Sequence, residues 1–183
     1  MVLSAVCLFV FVSPSRTVLE GAKRQLEHPA IYNPAYRRIG YPGGDVPIGE
    51  GVCVDVIIRA LRYAGKDLQV LIHEDMKTGF RGYPRREAHP DKNIDHRRVP
   101  NQIHFLKRFG RSLPLSPVTA KNWQPGDLIY WKLPNGLDHC GVVSDRMGAK
   151  GVPMVIHNIS RTAEEDVLTT WTITGHFRYP KGR

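Results

Sequence analysis

The segment Leu113-Pro114-Leu115-Ser116-Pro117 divides the chain into two stretches whose apolar residues follow different periods, and nothing else in the sequence limits the fold as strongly. Upstream of it the spacing is helical. Cys53, Ile57, Ala60, Leu61 and Ala64 recur at i, i+3/i+4 and i+7, one apolar stripe on a helix that starts at Cys53. Val18, Ala22 and Leu26 align in the same way over 18–26, and His28-Pro29 should end that helix, because the residue before a proline avoids helical angles. Further helices are expected over 68–76 and 101–109, the second closing on Gly110 where glycine admits a left-handed turn. Residues 30–50, rich in proline and glycine, read as a structured loop, and so do residues 79–100. Downstream, apolar runs at 127–133, 139–145, 154–159 and 170–179 are separated by Pro134-Asn135-Gly136 and by residues 148–153, a pattern of strands joined by turns. Helices first and an antiparallel sheet second make an α+β domain.

The first residue of the 53–64 stripe is a cysteine, led in by Gly49-Glu50-Gly51. At the start of a helix the unpaired backbone N–H groups and the positive end of the macrodipole favour an anion, so a thiol there shifts toward thiolate. The glycines leave room for a substrate to approach. Read alone, Cys53 fits an inert core cysteine as well as a nucleophile. A nucleophile needs a base near the thiol and a third polar group to hold that base. His139 opens one expected strand and His157 lies in the next, so antiparallel pairing can set the two imidazoles side by side. Packing of the Cys53 helix on that sheet would then bring the thiol to His139. His28, His89, His104 and His176 read as ordinary surface or core histidines.

The chain has 183 residues, enough for one domain with a proper core, taken here as 17–183. Three cysteines without CxxC spacing argue against a disulfide scaffold or a zinc site, and no metal or cofactor is expected. The net charge of +9 bears on partners and not on fold. It is concentrated in 77–111, which holds ten Lys/Arg against three acids. That segment lacks interleaved aromatics and any nucleic-acid-binding motif, so nucleic acid is not the expected partner. Residues 1–16 read as a leader. The apolar run Val2–Val12 is too short to span a bilayer and suits the core of an export signal, which implies a periplasmic or cell-envelope location without stable membrane insertion.

Four elements in order carry a resemblance: Gly51-Val52-Cys53, Gln124-Pro125-Gly126-Asp127-Leu128, His139-Cys140-Gly141-Val142-Val143 and Val155-Ile156-His157. Their layout resembles that of the NlpC/P60 cysteine peptidases. More closely, Gly51-Val52-Cys53-Val54-Asp55-Val56, His73-Glu74-Asp75-Met76, residues 93–100 and residues 173–179 resemble the bacterial family known as domain of unknown function 1287, over about residues 17–180. The NlpC/P60 resemblance implies a papain-like fold and cleavage of amide bonds, commonly in peptidoglycan stem peptides, by a Cys53–His139–His157 triad. Anionic peptides outside the cytoplasm agree with the basic charge and the leader.

The chain also departs from that pattern. Val52 precedes the cysteine and Val54-Asp55 follow it, where NlpC/P60 chains usually carry an Asp-Cys-Ser-Gly-like string. Asp55 falls on another helical face from Cys53, spaced to pair with Arg59. The insertion 79–100 carries Asp91, Asp95, His96, Arg97 and Arg98. It reads either as a loop locked by its own ion pairs or as a wall of the substrate cleft, where Arg97 or Arg98 grips a carboxylate in bidentate fashion. Asp55, Asp95, His96, Arg97 and Arg98 are therefore candidate substrate-binding residues. Thiol hydrolase is the expected activity. An acyltransferase on the same triad and a non-catalytic wall-binding module are the alternatives.

Overall fold

The apolar stripe at Cys53 becomes helix α2 (Cys53–Tyr63), the element on which the domain is assembled. The computed structural model describes residues 13–84, 87–116 and 122–181. The run Val2–Val12, with Cys7, and Arg85 and Arg86 of the basic segment lie outside the described residues. Helix α1 (Pro14–Lys23) packs on α2 through Gly21, where a Cβ would stand 2.6 Å from Tyr63 Cβ. It starts before residue 18. Ser13-Pro14 is a helix start, with Ser13 accepting from the Arg16 N–H and proline in the first turn, where its missing N–H costs nothing. Residues 24–26 continue as a 3-10 turn. Helices α3 (Leu68–Gly79) and α4 (Val99–Phe109) follow, the latter ending on an extended Gly110 and not on a left-handed turn. Glycine is needed there for space, since a Cβ would meet Leu106 O at 2.8 Å.

Two short strands, β1 (Ile31–Tyr32) and β2 (Glu50–Gly51), pair in parallel just before α2. The main sheet contains β3 (Arg111–Ser112), β4 (Leu128–Lys132), β5 (Asp138–Met147), β6 (Pro153–Asn158), β7 (Thr162–Glu165) and β8 (Thr172–Arg178), in the order β3-β8-β4-β5-β6-β7. Every pairing in it is antiparallel. The class is α+β, as the chain's two periods predict. Both faces of the sheet are covered. Leu128, Tyr130, Cys140, Val142, Ile156 and Phe177 pack against Cys53, Ile57 and Leu61, while Ile129, Trp131, Val143 and Val155 pack with Trp123 and Leu168 on the other side. Central strands buried on both faces lose polar alternation, and β4 is buried at four consecutive positions.

Two polar knots fix this sheet. Asp127, fully buried, accepts from Arg178 at 2.7 and 2.9 Å, from the Gln124 N–H at 3.0 Å and faces His176 Nε2 at 2.9 Å, which ties the start of β4 to β8. The Tyr130 hydroxyl donates to Gln102 of α4 at 2.9 Å, and Gln102 donates to the His96 carbonyl at the same distance. That chain seats the turn Asp95–Arg97 beside α2. Among the described residues no helix is long and apolar enough to cross a membrane.

Candidate active site

Cys53 is the first residue of α2, 7% exposed, and it forms part of the wall of a cleft. Its N–H is among those that a helix start leaves without an intrahelical acceptor. The α2 side of the sheet presents Cys140, and the opposite side presents His139, the second residue of β5. Successive β5 side chains point to opposite faces. A thiol that meets both must stand over the end of the strand. The pKa of Cys53 is lowered to about 5, first by the hydrogen bond from Cys140, against the effect of burial, and then by the hydrogen bond and charge of His139. The Cys140 thiol is pushed the other way, by burial and by the neighbouring Cys53. Of the pair, Cys53 is the thiol shifted toward the anion and Cys140 the one shifted away from it.

His139 and His157 are on neighbouring strands, with Gly141 opposite His157 in the register. Their imidazoles meet at 2.9 Å between His139 Nε2 and His157 Nδ1, with the rings nearly perpendicular. A Cβ on Gly141 would stand 2.6 Å from Val155 Cγ1 and 3.0 Å from His157 Cβ, so glycine is what lets the strands approach here. Trp131 stacks on His139 and Trp171 meets both imidazoles edge-on. These tryptophans seal the histidines from water. Burial, reinforced by the charge of His139, lowers the His157 pKa to about 3. His157 therefore stays neutral at pH 7 and can accept at Nδ1. Since Nε2 of His139 faces His157, Nδ1 is the nitrogen left for the thiol.

Outside the thiol lies a cleft of about 270 Å³ walled by Tyr32, Cys53, Ile94, Arg97, Arg98 and Asp138. Cys53, His139 and His157 are thus brought together, and Arg97 and Arg98 reach the cleft beside them. Three other candidates are placed differently. Asp55 does not pair with Arg59, which turns to Asp45 at 2.9 Å. Its carboxylate instead takes Arg97 in bidentate fashion, both bonds 2.8 Å, and accepts the Val52 N–H at 2.7 Å, bridging the helix start to the insertion. With both oxygens engaged and 2% exposure, the Asp55 carboxylate is buried and does not wall the cleft. Asp95 and His96 are likewise buried and do not wall the cleft. Asp95 accepts the Asp91 N–H to shape the turn, and burial raises its pKa. His96 is held neutral, its pKa lowered to about 4 by burial and by Arg97. Arg97 keeps its place in the wall as a locked ion pair. Among the described residues Arg98 forms its ion pair with Glu87, an exposed partner.

Sequence reasoning missed Cys140, Trp171 and the Asp55–Arg97 clamp as parts of this site. Cys140 carried the one available signal, a second cysteine directly after the candidate base. Comparison with known proteins places the site in context. The family described as a domain of unknown function, DUF1287, matches residues 19–179. Over 165 residues the chain is 49% identical to an uncharacterized protein, YijF, of Escherichia coli strain K12, an alignment covering 88% of this chain and 80% of that relative. The chain belongs to the DUF1287 family.

Proposed function

We propose that this DUF1287 member is a thiol hydrolase of papain-like, NlpC/P60-type architecture that cleaves amide bonds in anionic peptides of the cell envelope, peptidoglycan stem peptides above all. The observation that carries this reading is the meeting of a depressed-pKa thiol at a helix start with a buried histidine pair, the thiol lining a cleft walled by two arginines. A merely structural cysteine needs none of this. Buried thiols ordinarily shift away from thiolate, and here the partners outweigh burial.

In this mechanism the Cys53 thiolate attacks the scissile carbonyl. The C–S bond forms as the carbonyl π pair moves to oxygen, and the resulting oxyanion is held by the Cys53 N–H at the positive end of α2. His139, carrying the proton at Nδ1, passes it to the leaving amine as the C–N bond breaks. Water then attacks the thioester, gives its proton to His139, and the acid departs as the thiolate is restored. His157 holds His139 in the orientation that presents Nδ1. Arg98, which among the described residues pairs with the exposed Glu87, is the residue assigned to bind a substrate carboxylate. The run Val2–Val12 serves as the export signal.

The test is digestion of purified peptidoglycan by wild type, Cys53→Ala and His139→Ala, with released fragments read by mass spectrometry. Wild type releases fragments with new carboxyl and amino termini and both variants release none. Fragments joined to an added amine would make the protein a transferase on the same residues. Release that persists in Cys53→Ala overturns the reading.

A further inference from the structure

The histidine pair leaves one nitrogen to be explained. A neutral imidazole that accepts at Nδ1 carries its proton at Nε2. In His157 that N–H is buried, and a buried donor needs an acceptor. Glu165 of β7 supplies one. Its Oε2 lies 2.8 Å from His157 Nε2, although off the N–H axis, so the contact falls short of hydrogen-bond geometry. Catalytic hydrogen bonds are often loosely aligned before substrate binds. The register sets Glu165 opposite Val155, on the same face as His157, Trp131 and His139. The other nearby carboxylates are already committed. Asp138 is bound to Lys132, and Glu164, which points to the opposite face, holds Ser144 and Arg146. Among the described residues Glu165 pairs with no lysine or arginine.

We propose that Glu165 is a positioning residue, fourth in a line Cys53–His139–His157–Glu165: its carboxylate fixes the Nε2–H form of His157, which keeps Nδ1 open to His139 and the His139 ring turned toward the thiol. The line runs from the cleft to the surface, since Glu165 is about half exposed. When His139 becomes imidazolium beside the thiolate, its Nε2–H donates to His157, and the carboxylate beyond strengthens that acceptor. This rests on the hydrolase reading above, and the two can fail separately.

The test reads the rate at which iodoacetamide alkylates Cys53 at pH 6, from the mass of the Cys53 peptide so that Cys140 is not counted. Wild type, Glu165→Leu, Glu165→Gln and His139→Ala are compared, each checked for fold by circular dichroism. Glu165→Leu should slow alkylation roughly tenfold, as loss of the outer partner of a functional histidine does. Its rate–pH curve should move to higher pH. Glu165→Gln should keep most of the rate, because an amide oxygen can accept the same N–H. Should the leucine variant misfold, Glu165→Thr, which keeps strand propensity, reads the same quantity. If Glu165→Leu matches wild type while His139→Ala is slow, the positioning role is overturned and the triad stands. A Gln variant as slow as Leu overturns the tautomer role. If His139→Ala changes nothing, both readings fall.

Discussion

Asp55 shows how much one side chain can organise without touching chemistry. It caps the helix that carries Cys53 and clamps Arg97 of the cleft wall, both partners of the clamp almost wholly buried. Removing one partner of such a pair strands the other charge in the interior, which typically costs about 3–5 kcal/mol. Asp55→Asn should therefore lose about 3 kcal/mol in urea unfolding at an unchanged slope, and an unchanged midpoint would show that the clamp contributes nothing. Helical spacing pointed Asp55 to Arg59, four residues on. The real partner lies 42 residues away, on a turn seated by Gln102 and Asn101 of α4. No local pattern encodes a pairing of that range. Cys53, His139 and His157 are legible for the opposite reason: a helix start and two strand positions fix where their side chains stand.

At the scale of elements, the helices and the central strands could be read because each buries a periodic face, and the errors lie at ends and edges. Strand β7 escapes notice, since Thr162-Ala163-Glu164-Glu165 has no apolar alternation, and its backbone pairing to β6 is what makes it a strand. The element that carries Glu165 is thus one of those the sequence conceals, with the two-residue strands β1, β2 and β3. Helix α1 begins earlier than its apolar spacing suggests because a cap and a first-turn proline, and not burial, set its start. The β5–β6 pairing is the joint on which the histidine pair depends. Gly141→Ala forces a Cβ to within 2.6 Å of Val155 Cγ1 and 2.8 Å of the Ile156 carbonyl, so the strands must separate. A loss of about 1–3 kcal/mol is expected, with a drop in melting temperature and in Cys53 reactivity together. A melting temperature equal to wild type would show that the strands have slack.

For the molecule as a whole, the two buried neutral histidines make stability depend on pH. His96 and His157 have folded pKa values of about 4 and about 3, below the ordinary 6.5. Between those values the unfolded chain binds protons that the folded one refuses. Stability is thus full above about pH 6.5 and falls as pH drops toward 4, by on the order of 3 kcal/mol for His96, with His157 adding a loss in the same direction. Urea midpoints measured from pH 7.5 to 4 should decline over that window, and His96→Phe should flatten part of the decline. A flat profile down to pH 4.5 would contradict it. The overall α+β class follows from the two periods on either side of residues 113–117, whereas the cleft does not. It forms where β1, α2 and the 94–100 segment converge, and only long-range packing brings them together.

The central claim is that Cys53 rests as a thiolate because His139 and Cys140 hold it there. The most direct measurement is the rate of Cys53 alkylation by iodoacetamide against pH, read at the Cys53 peptide, in wild type and His139→Ala. The account predicts a wild-type inflection near pH 5. It predicts a curve displaced toward the ordinary thiol value of about 8.5 when the imidazole is removed. A wild-type inflection already near 8.5, or one that His139→Ala leaves in place, would contradict it.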